Sequence, residues 1–217
     1  MRKKYVAGNW KMNLTLADAK ALVQGIAAGM PANAGVDVAV FPPFVLLHPL
    51  AAVIGGSIQL GAQNCHYEAS GAFTGEIAPQ MLLDVGCKSV IIGHSERRHI
   101  FGETEELLKK KVMAALKVGL KVIYCVGEKL DEREAGQTEA VLHRQIHKVL
   151  GADVPLDEVT IAYEPVWAIG TGKTASPQQA QDAHAYIRGQ IGKLYNAKAA
   201  EAVRIQYGGS VKASNAR

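Results

Sequence analysis

TIAYEPVWAIGTGKTA, residues 160–175, decides how the chain is read. Thr160 and Ile161 open a short apolar run suited to a buried strand. The strand delivers a carboxylate, Glu164, at its C-terminal end, and Pro165 forbids further ladder pairing. Val166, Trp167, Ala168 and Ile169 form an apolar segment whose position predicts exposure. Gly170, Thr171, Gly172, Lys173, Thr174 and Ala175 follow, with backbone freedom at both glycines. A stiff hinge, an apolar tip and a second hinge read as a lid over an acid or base. A closed lid expels water and strengthens the electrostatics beneath it. Two plainer readings stand beside this one. Gly172-Lys173-Thr174 looks like the tail of a nucleotide P-loop, but that motif needs glycine where Trp167 stands. Glu164 also reads as a solvated carboxylate on an ordinary loop.

Composition bounds the classes. A chain of 217 residues buries a full core and fits one domain or at most two, and the lack of any linker or composition shift favours a single domain, 1–217. A hydrophobic fraction of 48% and a charged fraction of 20% are those of a soluble globular protein. The net charge is +4, and the longest basic run is Lys109-Lys110-Lys111, so no nucleic-acid partner is expected. Cys65, Cys87 and Cys125 are odd in number and widely spaced, which predicts neither a disulfide framework nor a zinc site. The apolar stretch after the basic N-terminus is too short for a signal sequence, and no segment has the length of a membrane span. The expected compartment is the cytoplasm.

Outward from the opening stretch, apolar runs alternate with amphipathic ones. Strands are predicted over 5–9, 36–41, 58–64, 89–93, 121–125, 160–164 and 204–208, and helices over 16–30, 44–54, 79–85, 104–118, 138–150 and 177–195. Thr104 precedes an acidic first turn, Gly119 stops the same helix, and Ser176-Pro177 opens another. Strands alternating with helices predict right-handed βαβ units and a parallel sheet. Polar groups gather where the strands end: Asn9 and Lys11, Asn64, His94 with Ser95 and Glu96, Glu164, and Gly208-Gly209-Ser210. In barrels of parallel strands those ends form the site.

Gly8-Asn9-Trp10-Lys11-Met12-Asn13, Gly93-His94-Ser95-Glu96-Arg97-Arg98, the glutamate with its lid, and Tyr207-Gly208-Gly209-Ser210 together resemble the triosephosphate isomerase family. The resemblance runs the length of the chain in order. It implies a (β/α)8-type TIM barrel that interconverts dihydroxyacetone phosphate and glyceraldehyde 3-phosphate in glycolysis and gluconeogenesis, with no cofactor and no metal. It implies Glu164 as base, with His94 and Lys11 as donors to the developing oxyanion. Asn9 would orient Lys11 and His94, and Glu96, Ser95 and Cys125 would support them. A helix starting near Ser95 would disfavour an imidazolium at His94. Gly170, Gly208, Gly209 and Ser210 would receive the substrate phosphate.

The polar loop 66–78 reads as a functional loop or a flexible one. The resemblance implies that it docks into a second subunit of a homodimer, with Thr74 at its tip. His143 and His147 are spaced as in a zinc protease helix, but Arg144 replaces the required glutamate. The family has an eighth strand and helix with a further glycine-rich phosphate loop, whereas this sequence stops at Arg217. The expectation is therefore a barrel of seven βα units, truncated at the C-terminus. A catalytically impaired fragment or assembly module is the alternative function, and another phosphate-binding barrel such as a sugar-phosphate epimerase ranks last.

Overall fold

The computed structural model describes residues 2–31, 34–169 and 174–211. In chain order the elements are β1 (Lys4–Asn9), α1 (Leu16–Gly29), β2 (Val36–Phe41), α2 (Phe44–Ala51), β3 (Gln59–Ala62), α3 (Pro79–Asp84), β4 (Ser89–Ile92) and α4 (Ser95–His99). They continue with α5 (Glu105–Lys117), β5 (Lys121–Val126), α6 (Leu130–Glu134), α7 (Thr138–Val149), β6 (Val159–Tyr163), α8 (Pro177–Leu194), α9 (Ala197–Ala202) and β7 (Arg204–Tyr207). The seven strands stand in chain order in one sheet, the α/β architecture expected of the class. The residues form two compact units, Met1–Ile92 with Lys111–Val122, and Gly93–Lys110 with Ile123–Arg217. Helix α5 and strand β5 run from one into the other.

In the first unit β1 pairs with β2 in parallel from Lys4↔Val36 to Asn9↔Phe41. Strand β2 pairs with β3, and β3 with β4, in the same sense. All of β4 is buried, as suits a strand covered on both faces. The Phe41 ring fills the space a Cβ would take at Gly61, so only glycine fits there. Helix α2 ends three residues before the expected boundary. Pro49 lies inside it and has no N–H to donate, and the chain turns out through Val53 and Ile54, which both donate to the Leu50 carbonyl. Asn64 is buried, and its Oδ1 accepts from the buried Lys111 Nζ at 2.9 Å.

In the second unit β6 pairs with β7 in parallel from Thr160↔Arg204 to Tyr163↔Tyr207. Helix α7 buries Val141, Leu142, Gln145, Ile146 and Val149 on one helical face, and one of those five is polar. Helix α8 starts on a reciprocal cap: Ser176 Oγ accepts from Gln179 N at 3.2 Å, and Gln179 Oε1 accepts from Ser176 N at 2.8 Å. Gly119 has φ +91° at the end of α5. Helices α6 and α9 are too short to leave a periodic signature in sequence.

One reading is corrected. Val166–Ala168 is not an exposed tip but a 3₁₀ turn, with Ala168 fully buried and Trp167 only 9% exposed. The turn folds the indole back so that its Nε1 donates to Glu128 at 2.9 Å, with the Arg133 guanidinium 4.6 Å above the ring.

Candidate active site

Glu164 follows β6 directly. Its N–H donates to the Val126 carbonyl at 2.8 Å, which extends the β5–β6 pairing by one residue before Pro165 stops it. The carboxylate is 4% exposed. Oε2 accepts the Ser95 backbone N–H at 2.9 Å, and Oε1 lies 3.3 Å from His94 Nε2. Cys125 is buried beside it. Burial foremost, then the Glu164 charge, pushes that thiol well above its usual range, so it stays protonated. A Cβ on Gly208 would stand 2.8 Å from Glu164 Cγ, so glycine there gives the carboxylate side chain its room.

His94 reaches Glu164 because the chain turns at Gly93, whose φ is +79°. A Cβ at Gly93 would also crowd Arg98, Tyr124 and the Cys125 carbonyl. The imidazole caps α4: Nδ1 accepts the Glu96 N–H at 3.3 Å, while the Glu96 carboxylate stands off at 3.6 Å. A ring nitrogen that accepts carries no proton, so the neutral ring holds its proton on Nε2, the nitrogen facing Glu164. A proton-accepting carboxylate and a neutral N–H donor thus stand side by side in a buried place.

Below Glu164 lies a second carboxylate, Glu128, which is fully buried. It accepts from Tyr163 Oη at 3.1 Å, Trp167 Nε1 at 2.9 Å and Arg133 Nη1 at 3.0 Å. This ties the base of the expected lid to β6 and α6. Pro165 is buried and Val166 and Ile169 are half-buried, while Thr174 is exposed and Ala175 half-buried. Ala175 N donates to Tyr207 Oη at 3.4 Å. The remaining lid positions, Gly170, Thr171, Gly172 and Lys173, lie outside the described residues. Gly208, Gly209 and Ser210 are half-buried after β7, and Gly208 N donates to the Tyr163 carbonyl at 2.6 Å.

Asn9, Lys11 and Thr74 belong to the other unit. Lys11 has φ +53°, a costly conformation for a residue with a side chain. Asn9 Oδ1 holds it by accepting the Lys11 N–H at 2.9 Å. Gln63 Nε2 donates to the Lys11 and Phe41 carbonyls, both at 2.8 Å. Thr74 is exposed. Gln63, Glu128 and Gln145 escape sequence reading. Gln145 alone leaves a signal there, as a polar residue on the apolar stripe of α7. Among the described residues, no cluster of three or more His, Cys, Asp or Glu side chains is placed to hold a metal ion.

Strands in chain order, with polar side chains at their C-terminal ends, place the chain among the parallel α/β-barrel proteins. It belongs to the triosephosphate isomerase family, whose model matches residues 4–217. A triosephosphate isomerase of Carboxydothermus hydrogenoformans is 53% identical over 218 residues, covering 99% of this chain and 87% of that protein. One from Treponema denticola is 55% identical, covering 100% of this chain and 87% of its own length. One from Prosthecochloris aestuarii is 53% identical, at 100% and 86%.

Proposed function

We propose that the chain interconverts dihydroxyacetone phosphate and D-glyceraldehyde 3-phosphate, with Glu164 as the proton carrier. The observation that carries this is the buried Glu164 carboxylate with the His94 Nε2–H at 3.3 Å. The Glu164 carboxylate takes a proton from the carbon next to the substrate carbonyl. The freed electron pair moves onto the carbonyl oxygen and forms an enediolate. Glu164 then returns the proton to the neighbouring carbon, and the hydroxyl proton moves between the two oxygens. General-base catalysis of this kind contributes roughly 10²- to 10⁴-fold.

His94 Nε2–H donates to the developing oxyanion, and the Lys11 ammonium adds a full charge. One preorganised donor is worth about 3–4 kcal/mol. Gly170, Gly208, Gly209 and Ser210 receive the phosphate, and the lid 165–175 shuts water out. A lid supports this chemistry because an enediolate open to water loses phosphate in a side reaction.

The proposal includes a homodimer in the cytoplasm. Met12 is 94% exposed and Val45 is 82% exposed, and Phe73 beside Thr74 is exposed too. Apolar side chains on that scale suit burial against a second copy. No helix among the described residues is long and apolar enough to cross a membrane.

The test is NMR of the purified chain in D2O with either triose phosphate. The reading requires approach to one equilibrium from both directions, with deuterium entering at the carbon that is reprotonated. No exchange from either side would refute it.

A further inference from the structure

Strand β5 ends at Val126, and Gly127 comes next. Its backbone is pressed against Glu164, because a Cβ there would overlap the Glu164 carbonyl. On this side the segment is fixed by the Glu164 N–H to Val126 and the Val166 N–H to the Glu128 carbonyl at 3.1 Å. On the other side a single side chain takes both polar groups of Gly127. Gln145 Oε1 accepts the Gly127 N–H at 2.8 Å, and Gln145 Nε2 donates to the Gly127 carbonyl at 3.0 Å.

Gln145 is 2% exposed and belongs to the apolar stripe of α7. A carboxamide sets an acceptor oxygen beside a donor NH2, so it pairs with both the N–H and the carbonyl of Gly127 where the strand has stopped. Gln145 is itself anchored: its backbone carbonyl accepts from Tyr124 Oη at 2.7 Å. Tyr124 Oη in turn accepts from Arg98 Nη2 at 2.9 Å. The same guanidinium donates to the Gly93 carbonyl at 2.8 Å and the Cys125 carbonyl at 3.0 Å. Gly93 precedes His94, and Cys125 is buried close enough to Glu164 to feel its charge. One buried chain of hydrogen bonds therefore braces the backbone under both His94 and Glu164.

We propose that Gln145 is a positioning residue for the reaction: by pinning both polar groups of Gly127 it sets where the Glu164 backbone stands relative to His94. It touches neither substrate nor reacting atoms, and the inference rests on the isomerase reading. Misplacement of a base by a fraction of an ångström acts on the chemical step more than on substrate binding.

Two variants test it. Gln145→Leu keeps the volume and removes both hydrogen bonds. It should lower kcat at least about 10-fold with KM within about 3-fold. Gln145→Glu keeps the acceptor for the Gly127 N–H and loses the donor to the Gly127 carbonyl while ionised. Protonation of the introduced carboxyl restores a donor. The ratio of variant kcat to wild-type kcat should therefore rise as pH falls from about 9 to about 6. A purely structural side chain would change the melting temperature without that ratio moving.

A folded Leu variant with wild-type kcat, or a flat ratio in the Glu variant, overturns the proposal. Should the Leu variant fail to fold, the Glu ratio decides alone. If the wild-type protein does not isomerise triose phosphates, the functional reading fails first. Amide hydrogen exchange at Gly127 and Glu164 then still decides the bracket: faster exchange at both in the variants supports it, and unchanged exchange overturns it.

Discussion

Glu164 Oε1 and His94 Nε2 lie 3.3 Å apart, on residues 70 positions distant in sequence, and the second carboxylate oxygen accepts from Ser95 N at 2.9 Å. Two backbone devices make that meeting possible. Gly93 turns through a positive φ to bring the imidazole round, and Glu164 stays in register with β5 through its own N–H. Chemistry in this site is thus a consequence of how two strands end.

Glu128 is the most exacting residue beneath the segment proposed as a lid. Three donors converge on it and none of it is exposed. Burial first, and the Glu128 charge second, push the Tyr163 phenol far above its usual range, so Tyr163 remains a donor at any working pH. Glu128→Gln leaves the Arg133 guanidinium facing a neutral amide that cannot serve three donors. The expected cost is roughly 3 kcal/mol of stability, read as a drop in melting temperature of about 10 °C. Melting within 2 °C of wild type would count against the network.

His184 supplies a pH dependence of stability. Its Nε2 is buried with no hydrogen-bond partner among the described residues, and the ring meets the Tyr163 ring edge-on at 5.9 Å. Burial first, and Arg188 second, hold its pKa below the ordinary 6.5. The folded state therefore binds fewer protons than the unfolded chain just below that value. The contribution is fully present above pH 6.5 and is lost as pH falls through the lower folded pKa. The melting temperature should fall between about pH 7 and 5, and His184→Phe should flatten that slope. An equal slope in the variant would remove His184 from the account.

Cysteine reactivity follows from the same physics. All three thiols are buried. Burial pushes Cys87 up to about 12, and Cys125 is raised well above its ordinary range by burial and Glu164. Native protein at pH 8 should react with a thiol-specific disulfide reagent only as fast as it opens. Three thiols should titrate at once on adding denaturant. Rapid native labelling of any one of them would show that its burial is not maintained.

Much of this was legible in the sequence, for identifiable reasons. The strands stand within two residues of their expected bounds, because buried parallel strands are short apolar runs closed by turn residues. The placement of Glu164, His94 and Lys11 just after strands was legible because polar residues gather at strand ends, whereas their roles came from the family resemblance. The exposure of Trp167 was misread, since a hydrogen bond to Glu128 and a cation over the ring cannot be inferred from an apolar tetrapeptide beside glycines. Gln145 and Gln63 were missed because each acts on backbone atoms, and a backbone partner leaves no trace in side-chain patterning. The start of α4 near Ser95 was legible but its extent was not, since five residues barely exceed one helical turn.

The proton-transfer role of Glu164 is the central claim, and steady-state kinetics of Glu164→Gln beside wild type test it most directly. The amide keeps the volume and accepts from Ser95 N, but it cannot take a proton from carbon. The account predicts that kcat falls by at least about 10²-fold while KM stays within several-fold. A variant whose kcat remains within a few-fold of wild type would contradict it.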